Sequence, residues 1–262
     1  MRVLVTGASG ALGRDVVPVL RGAGHEVRAL SRVSRPGQDG VSWVRGDLAT
    51  GDGLAPALGD VETVVHLASA PYRRGYTREV DVEGTRRLTA AARSAGVRHL
   101  LYVSIVGADR VPWGYFRIKV EAEQIVRSSG PAWTVLRATQ FYSLLDKALR
   151  AAAHLPVVPY DRGIVAQAVD TGDVARRLVE LLTAGPREDV VEVGGPQVLG
   201  LREAVEQWLA ATGRRRVLVP VRVPGRLGAA FRARPFVTSA EPTGTTTWND
   251  YLASRGAASA VA

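Results

Sequence analysis

Three glycines near the start of the chain have the spacing of a turn that could hold a phosphate group. Gly7, Gly10 and Gly13 lie at i, i+3 and i+6, directly after the apolar, β-branched segment 2–6 and before a stretch of helical periodicity. In a strand–turn–helix, the first glycine permits the tight turn, the second lets the backbone approach a pyrophosphate, and the third permits close packing of helix on strand. The free N–H groups at the helix start then bind the phosphates. The pattern predicts a dinucleotide contact formed by Gly7, Ser9, Gly10, Ala11, Leu12 and Gly13.

The end of the next strand indicates which dinucleotide binds. A carboxylate about 20 residues after the glycine turn hydrogen-bonds the ribose 2′-hydroxyl of NAD and repels the 2′-phosphate of NADP. Here the predicted strand 25–31 ends at Ser31, Arg32 and Arg35 follow closely, and none of these residues is acidic. A hydroxyl and guanidinium groups suit a phosphate, although solvated arginines in an arginine-rich chain are the alternative. We expect NADP(H) as the preferred cofactor and NAD(H) as the second choice.

A phenol and an ammonium group lie one helical turn apart in the middle of the chain. Tyr115 and Lys119 stand at i and i+4 of the predicted helix 115–128, so they share one face. Lysine is rare here, because Lys119 and Lys147 are the only lysines and arginine supplies the other basic side chains. A compact ammonium can bond a ribose where a guanidinium would not fit equivalently. The pair is therefore the candidate reactive centre.

The elements that must position these residues follow from hydrophobic periodicity. Short apolar strands alternate with helices of about 12 residues, which is the pattern of a parallel sheet with right-handed crossovers. We therefore predict an α/β protein with a Rossmann-type, doubly wound parallel sheet and a small C-terminal lobe on the substrate side. The predicted strands are 2–6, 25–31, 43–44, 61–68, 100–104 and 133–137. The predicted helices are 11–24, 82–95, 115–128, 171–182 and 201–213.

The second part of the chain is less regular and contains many prolines. It predicts late strands and a small helical lobe over the carboxyl edge of the sheet, where loops bind substrates in such folds. We predict an NAD(P)-binding core at 1–150, a substrate lobe integrated with it at 151–254, and a flexible tail at 255–262. The candidate substrate contacts, each of which could equally belong to the core, are Trp113, Gln140 and Tyr142.

Several segments beyond the glycine turn resemble the short-chain dehydrogenase/reductase superfamily, and more narrowly its atypical, NmrA-like or NAD(P)H-binding branch. The glycine turn itself has the GxxGxxG spacing of that superfamily. The likeness covers roughly residues 1–210, and it is specific for fold and cofactor but not for substrate. The segments that carry it are 46–48 (GDL), 65–68 (VHLA), 80–85 (VDVEGT), 98–104 (RHLLYVS), 134–141 (TVLRATQF) and 169–175 (VDTGDVA).

The resemblance implies cofactor contacts outside the glycine turn. In the superfamily the GDL segment contacts the adenine, and the end of the fourth strand lines the cofactor. The residues that match these positions, together with those near the nicotinamide, are Asp47, Leu48, Leu67, Ala68, Ser69, Ser104, Lys119, Thr139 and Phe141.

The resemblance also implies roles for the reactive pair. In the superfamily the lysine binds the nicotinamide ribose and favours ionisation of the tyrosine, which passes a proton to a carbonyl as hydride arrives. Tyr115 and Lys119 match this pair one for one, although in the NmrA-like branch such a segment can also persist as a cofactor and packing element in proteins without turnover. The third partner departs from the pattern, because the second serine of the family's V-S-S strand end polarises the carbonyl and Ile105 holds that place here. Ser104 is left as the candidate, either as a catalyst or as a strand-end hydroxyl without a chemical role.

Three functions remain open at this point. The first is an NADPH-dependent reductase that acts on a carbonyl or quinone of a small hydrophobic or aromatic substrate, which the Tyr115–Lys119 pair favours. The second is a redox-sensing regulator that binds the dinucleotide and a protein partner without catalysis, which Ile105 favours. The third is an NAD-dependent sugar epimerase or dehydratase, which Arg32 disfavours. We expect the reductase.

Composition weighs against other classes of function. The formal charge is +9 and the pI about 10.5, yet the arginines are spread along the chain and the run 214–216 has no interleaved aromatic residues for stacking on bases. Cysteine is absent and the four histidines are scattered, so a metal site is not expected. The apolar runs are too short to span a bilayer, and the first residues do not form a leader. We expect a cytoplasmic monomer or homodimer with a small-molecule substrate and neither a nucleic-acid nor a membrane partner.

Overall fold

The computed structural model describes residues 1–37, 40–70, 73 and 75–260 of the chain. Its strands are β1 (Arg2–Thr6), β2 (Glu26–Ser31), β3 (Val41–Arg45), β4 (Thr63–His66), β5 (His99–Ile105), β6 (Ala132–Ala138), β7 (Gln140–Phe141), β8 (Val157–Tyr160), β9 (Val165–Ala166), β10 (Ala168–Val169), β11 (Val190–Val193), β12 (Leu199–Gly200) and β13 (Val217–Pro220). Its α-helices are α1 (Gly13–Gly22), α2 (Leu54–Leu58), α3 (Tyr76–Arg78), α4 (Gly84–Ser94), α5 (Gly114–Arg127), α6 (Tyr142–Ala152), α7 (Thr171–Ala184), α8 (Leu201–Ala211), α9 (Gly225–Arg232) and α10 (Trp248–Ala260).

Seven of the described strands form one sheet in the order β11-β6-β5-β4-β1-β2-β3. The neighbouring pairs β3–β2, β2–β1, β1–β4 and β4–β5 are parallel. The chain runs outward from β1 through β2 and β3, then returns to the other side of β1 as β4. This switch point is where open α/β sheets bind nucleotides, at the carboxyl ends of the strands. The predicted Rossmann-type, doubly wound fold is confirmed.

The described chain divides into two compact units, each with its own core. The first comprises Met1–Ser104, Gly114–Arg137 and Ala175–Val191, and the second comprises Ile105–Trp113, Ala138–Val174 and Glu192–Ala262. The boundary predicted at residue 150 stays a prediction. The predicted tail, 255–262, overlaps the last turns of α10 and residues 261–262, which lie outside the described residues, so its flexibility also stays a prediction.

The two cores are built differently. In the first unit, fully buried aliphatic side chains such as Leu4, Leu88 and Leu100 join the sheet to the helices packed on it. In the second unit, the rings of Trp208 and Trp248 are fully buried and lie among side chains of α6, α8 and α10. Helix α6 and helix α10 were not predicted from the sequence. Among the described helices, none is both long and apolar enough to cross a membrane.

The glycine turn forms as predicted between β1 and α1, and two of its glycines are required by close backbone contacts. Gly7 has φ +69°, and a Cβ there would lie 2.7 Å from the backbone nitrogen of Ala68. A Cβ on Gly13 would lie 2.3 Å from the carbonyl oxygen of Gly7 and 2.6 Å from the Cα of Ala8. Any side chain at Gly13 therefore pushes α1 away from β1.

Replacing Gly13 should destabilise the fold, whereas the same change at the other end of α1 should not. We expect Gly13→Ala to lower the free energy of unfolding by at least about 2 kcal/mol, because backbone atoms must move. Gly22→Ala is the matched control, since a Cβ there meets no heavy atom within 4 Å. Its expected effect is a gain of up to about 1 kcal/mol from helix propensity. Urea unfolding measures both, and equal stabilities would contradict the close packing at Gly13.

Candidate cofactor and active site

A groove of about 320 Å³ lies in the first unit, at the carboxyl ends of β1, β2 and β4. Its lining brings together residues that are far apart in the chain and that the sequence singled out as cofactor contacts. These are Gly7, Ser9, Gly10, Ser31, Arg32, Arg35, Asp47, Leu48, Leu67, Ala68 and Ser69. Their arrangement around one groove supports the cofactor prediction, and their individual roles stay predictions.

Some predicted contacts lie elsewhere, and some lining residues were not predicted. Ala11 is exposed at the start of α1, whereas Leu12 and Gly13 are buried beneath the turn. Gly46, of the GDL segment, also lines the groove, and the lining residues that sequence reasoning missed are Thr6, Leu30, Val33, Ala70, Tyr76 and Val80. Most of them neighbour a predicted residue in the chain. Tyr76 belongs to a separate segment that no local pattern marked.

The end of β2 presents two arginines to the groove. The guanidinium of Arg32 donates a hydrogen bond from Nη1 to the hydroxyl of Tyr76 at 2.8 Å. The Nε of Arg35 lies 3.4 Å from the Ser31 hydroxyl oxygen, and its guanidinium lies over the Trp43 ring, 5.0 Å from the centroid. Within the described part of the chain neither arginine has a carboxylate partner. This end of the groove therefore carries positive charge that a bound anion can neutralise.

A chain of buried hydrogen bonds joins the glycine turn to the opposite wall of the groove. The hydroxyl of Thr85 donates to the backbone carbonyl of Asp81 at 2.6 Å, so its oxygen accepts from Nε2 of His66 at 3.0 Å. Nδ1 of His66 is then the acceptor for the Thr6 hydroxyl at 2.7 Å. The Thr6 oxygen in turn accepts from the backbone N–H of Ala68 at 3.2 Å. The direction of every bond requires a neutral imidazole with its proton on Nε2.

Burial keeps this imidazole neutral. Loss of hydration first and the nearby Lys119 ammonium second lower the pKa of His66 to about 3. His99, whose Nε2 lies 3.0 Å from the Thr134 hydroxyl, is also largely buried, and desolvation lowers its pKa to about 4. Both rings are packed into the first unit, where a positive charge would be poorly hydrated.

A short π-helix, Glu79–Glu83, precedes α4 and carries a buried carboxylate. Asp81 is only 1% exposed, and Oδ1 accepts from the Ser69 hydroxyl at 2.6 Å while Oδ2 accepts from the Ala70 N–H at 2.8 Å. π-Helical turns are rare and concentrate at functional sites, because the widened turn redirects a side chain. Here the turn directs Asp81 onto the loop after β4, which lines the groove. The predicted helix 82–95 overlaps this segment only at residues 82–83, so it did not include Asp81.

Lys119 places an ammonium group beside Asp81. Its side chain is 4% exposed, and Nζ lies 3.6 Å from Oδ1 of Asp81 and 4.7 Å from the centroid of the Tyr102 ring. Within the described residues the ammonium makes no shorter polar contact, so its N–H groups remain able to bond a ligand. The Tyr102 hydroxyl is buried near Asp81, and burial first and the neighbouring carboxylates second raise its pKa well above the ordinary range.

Ser104 is a buried hydroxyl without a hydrogen-bond partner among the described residues. It lies two residues after Tyr102 on β5, and alternation along a strand puts both side chains on the face where Lys119 lies. Ile105 points the other way. The serine that the sequence retained is thus the one on the Lys119 side of the strand. An unpaired buried hydroxyl is a common mark of a ligand site.

Tyr115 lies in the first turn of α5 and is half-buried, four residues before Lys119. The centroid of its ring lies 5.6 Å from that of Phe116, and Tyr115 is near enough to Tyr102 to contribute to the raised pKa of that phenol. The predicted one-turn spacing of phenol and ammonium on one helix therefore exists in the structure. Whether the phenol acts as an acid stays a prediction.

The remaining predicted residues belong to the second unit. Thr139 is buried with an unpaired hydroxyl, and Gln140 and Phe141 are half-buried in β7. Trp113 is 40% exposed. Tyr142 is 2% exposed, donates to the Thr246 carbonyl at 3.0 Å and packs on the rings of Trp248 and Tyr251. This placement favours a packing role for Tyr142 over a substrate contact.

The residues of the groove fit a pyridine dinucleotide. The glycine turn leaves the first N–H groups of α1 available for a pyrophosphate. In the groove lining, Arg32 and Arg35 supply donors for phosphate oxygens. Elsewhere in the first unit, the Lys119 ammonium has unused donors and the Ser104 hydroxyl is unpaired, and both are donors suited to ribose and carbonyl oxygens. Among the described residues no group of histidine, aspartate and glutamate could hold a metal ion.

Comparison with known proteins gives the same class. Residues 7–185 match the model of a family described as NAD(P)H-binding. The chain is 35% identical over 223 residues to (4-alkanoyl-5-oxo-2,5-dihydrofuran-3-yl)methyl phosphate reductase of Streptomyces griseus, covering 81% of this chain and 74% of that protein. It is 30% identical over 221 residues to NAD(P)H azoreductase of Xenophilus azovorans, with the same coverage of 81% and 74%.

A solved structure shows the same fold across the whole chain. The NADPH-dependent quinone oxidoreductase of Escherichia coli in complex with NADPH superposes with a TM-score of 0.79 at 19% identity, covering 97% of this chain and 99% of that one. This chain therefore belongs to the family described as NAD(P)H-binding. Its class is that of the NAD(P)-binding oxidoreductases with a Rossmann fold.

The neutral, buried His66 should make stability depend on pH. The unfolded chain protonates this histidine as pH falls below about 6.5, whereas the folded chain does so only near the lowered pKa of about 3. The unfolded state therefore binds more protons in this window, and stability should fall by about 1.4 kcal/mol per pH unit for each such histidine. Urea unfolding of the wild type and His66→Gln between pH 6.5 and 4 measures the slope, which the variant should reduce.

The exposed His154 provides the control for this slope. His154→Gln should leave the dependence on pH unchanged, because the ring is exposed in the folded chain. The slope, rather than the absolute stability, is compared, since His66→Gln also disturbs the hydrogen-bond chain. Equal slopes in the wild type and His66→Gln would show that His66 does not stay neutral in the fold.

Proposed function

We propose that this protein is an NADPH-dependent reductase that transfers hydride to a carbonyl or quinone of a small hydrophobic substrate. The observation that carries the proposal is the buried Lys119 ammonium. It lies one helical turn from Tyr115 and 3.6 Å from Asp81, with N–H groups unused by other described residues. A phenol one helical turn before this cation adds a proton donor that binding of the dinucleotide alone does not require.

The preference for NADPH over NADH rests on the chain's own residues. Arg32 and Arg35 follow β2 without a carboxylate partner, and Ser31 adds a hydroxyl. An acceptor-only 2′-phosphate satisfies these donors, whereas a ribose 2′-hydroxyl is normally bound by a carboxylate at this position. Among the described residues that line the groove, Asp47 is the one acidic residue, and its Oδ1 already accepts from the N–H of Ala49 at 2.9 Å.

The residues of the first unit divide the work of the reaction. When bound, a reduced nicotinamide supplies the hydride. Lys119 holds the ribose through its ammonium and is itself held by Asp81. Ser104 donates to the substrate oxygen, on which negative charge develops as hydride arrives. Tyr115 supplies the proton that completes a two-electron reduction of a carbonyl or quinone, and solvent can replace it.

The names of two relatives indicate a further class of substrate. One relative is named for reduction of a 4-alkanoyl butenolide phosphate, and a structural neighbour for reduction of quinones. Both compounds carry a carbon–carbon double bond conjugated to a carbonyl, which accepts hydride readily. We therefore extend the expected substrates to conjugated carbonyl compounds with an apolar substituent.

A catalytically silent sensor is the second candidate. The absence of the family's second serine, replaced by Ile105, is the observation in its favour. A sensor would bind NADPH tightly but would not oxidise it, whichever acceptor is offered. The sugar epimerase is disfavoured, because an NAD-dependent enzyme does not require the two arginines after β2.

Substitution of the phenol tests the reductase directly. In single-turnover oxidation of NADPH, followed by absorbance with quinones, aromatic ketones and an alkanoyl butenolide phosphate, Tyr115→Phe should be slowed by at least about 100-fold. Its affinity for NADPH should stay within about twofold, because the phenol acts on the substrate. An unchanged rate would assign protonation to solvent. Tight NADPH binding by the wild type with no oxidation by any acceptor would favour the sensor.

A test of Lys119 must separate loss of the ribose ligand from the cost of leaving the Asp81 carboxylate buried without its cation. Lys119→Met leaves the Asp81 carboxylate buried without its cation, which should destabilise the fold by about 3–5 kcal/mol. The double variant Asp81→Asn/Lys119→Met removes both charges and should recover much of that stability. NADPH affinity, measured by fluorescence titration, should fall in both variants because the ribose ligand is gone. Recovery of NADPH affinity in the double variant would show that Lys119 acts only as a counter-ion.

A further inference from the structure

We propose that Tyr76, together with Arg32, selects the 2′-phosphate of NADPH. The proposal rests on the proposed function, because it assumes that the groove binds a dinucleotide. Tyr76 stands 44 residues beyond Arg32 in the chain, on α3, yet both line the same groove. The known determinant in such folds is the end of β2, and Tyr76 adds a second segment to it.

The direction of the hydrogen bond between the two side chains carries the argument. Nη1 of Arg32 donates to the Tyr76 hydroxyl oxygen at 2.8 Å, since a guanidinium has no acceptor. The phenol oxygen is therefore used as an acceptor, and its own proton is left to donate. The bond also limits the movement of the guanidinium, which belongs to an exposed residue that lines the groove.

Ser31 also lines the groove, and its hydroxyl oxygen, like that of Tyr76, is used as an acceptor. Its hydroxyl oxygen accepts from the backbone N–H of Val33 at 3.3 Å and lies 3.4 Å from Nε of Arg35. Its proton, like that of Tyr76, is left to donate. The Trp43 ring lies against the guanidinium of Arg35 and limits its movement.

Two arginines and two hydroxyls thus offer only donors to whatever lies between them. A phosphate dianion has only acceptor oxygens and two negative charges, so it satisfies all four groups at once. A ribose 2′-hydroxyl would leave both arginine charges uncompensated. Charge and hydrogen-bond direction therefore indicate the same ligand.

Tyr76 is held in place by its own segment rather than by the ligand. Its neighbour Thr77 is 1% exposed, and its hydroxyl oxygen accepts from the Arg73 N–H at 2.7 Å. On the other side, Arg78 forms a two-point pair with Glu121 of α5, at 2.7 and 2.6 Å. The phenol is therefore presented by a turn that is fixed at both sides, which reduces the entropy lost on binding.

Binding of adenosine 2′,5′-bisphosphate and adenosine 5′-monophosphate tests this without turnover. We expect Tyr76→Phe to weaken binding of the bisphosphate and of NADPH, measured by calorimetry, by about fivefold to tenfold, because one hydroxyl contact to a charged group is lost. The same variant should bind the monophosphate and NADH with an affinity within twofold of the wild type, since phenylalanine keeps the aromatic ring at position 76. Arg32→Ala should weaken the bisphosphate by at least about tenfold.

A second comparison shows whether Tyr76 acts with Arg32. In the Arg32→Ala background, Tyr76→Phe should change bisphosphate affinity by less than twofold, because the Arg32 donor occupies the phenol oxygen and so directs the phenol proton toward the phosphate. Arg86→Ala, which removes an exposed arginine of α4 paired with Glu83, controls for net charge and should have no effect.

The outcomes separate this proposal from the proposed function. The proposal would be overturned if Tyr76→Phe weakened binding of the bisphosphate and of the monophosphate equally, or weakened neither. It would also be overturned if Tyr76→Phe caused its full loss of bisphosphate affinity in the Arg32→Ala background. A wild type that binds the monophosphate as tightly as the bisphosphate would refute the NADPH preference itself. A wild type that discriminates between them but oxidises no NADPH would leave the role of Tyr76 intact and refute only the reductase.

Discussion

The candidate site depends on two opposite charges buried side by side. Asp81 and Lys119 are 1% and 4% exposed, so both lose most of their hydration on folding. Such a pair is tolerated only when the geometry is good and further hydrogen bonds satisfy the remaining oxygens. The Ser69 hydroxyl and the Ala70 N–H provide these bonds. The loop after β4, the π-helix and the helix of the reactive pair are therefore held in one arrangement, because any shift exposes an unpaired charge to a poorly polar interior.

His66 extends this arrangement to the glycine turn without adding a charge. Through Thr6 it contacts the end of β1, and through Thr85 it contacts the backbone of Asp81. A protonated imidazole would be a poorly hydrated charge close to the Lys119 ammonium. Burial first and this ammonium second therefore lower the pKa of His66. One polar network thus fixes the turn that holds a pyrophosphate and the ammonium that holds a ribose.

Features with a local signal could be predicted from the sequence. The glycine turn follows a strand within a few residues, the charge after β2 is contiguous, and the spacing of Tyr115 and Lys119 needs only one helical turn. The sheet followed from the alternation of short strands and helices. The likeness of residues 80–85 to a family helix start was noted, but it gave Asp81 no role, because a π-turn changes which way a side chain points without changing hydrophobic periodicity.

Features that depend on contacts between distant segments could not be predicted. Tyr76 gains its place through a turn fixed by Thr77 and Arg78, and neither contact has a sequence pattern. Helix α6 is a different case, since Tyr142, Leu145 and Leu149 recur at helical spacing and pack in the second core. That helix was therefore detectable from the sequence, although it was not predicted.

The choice of lysine at position 119 follows from the geometry of its surroundings. Among 34 basic residues, Lys119 and Lys147 are the only lysines, so composition alone would favour arginine. The ammonium lies 4.7 Å from the Tyr102 ring and 3.6 Å from Asp81, a distance that balances charge but is long for a hydrogen bond. A guanidinium in the same buried space would form a two-point bond with the carboxylate and commit its donors there. The compact ammonium neutralises Asp81 and keeps its donors for a ligand, which is the combination that a ribose-binding cation requires.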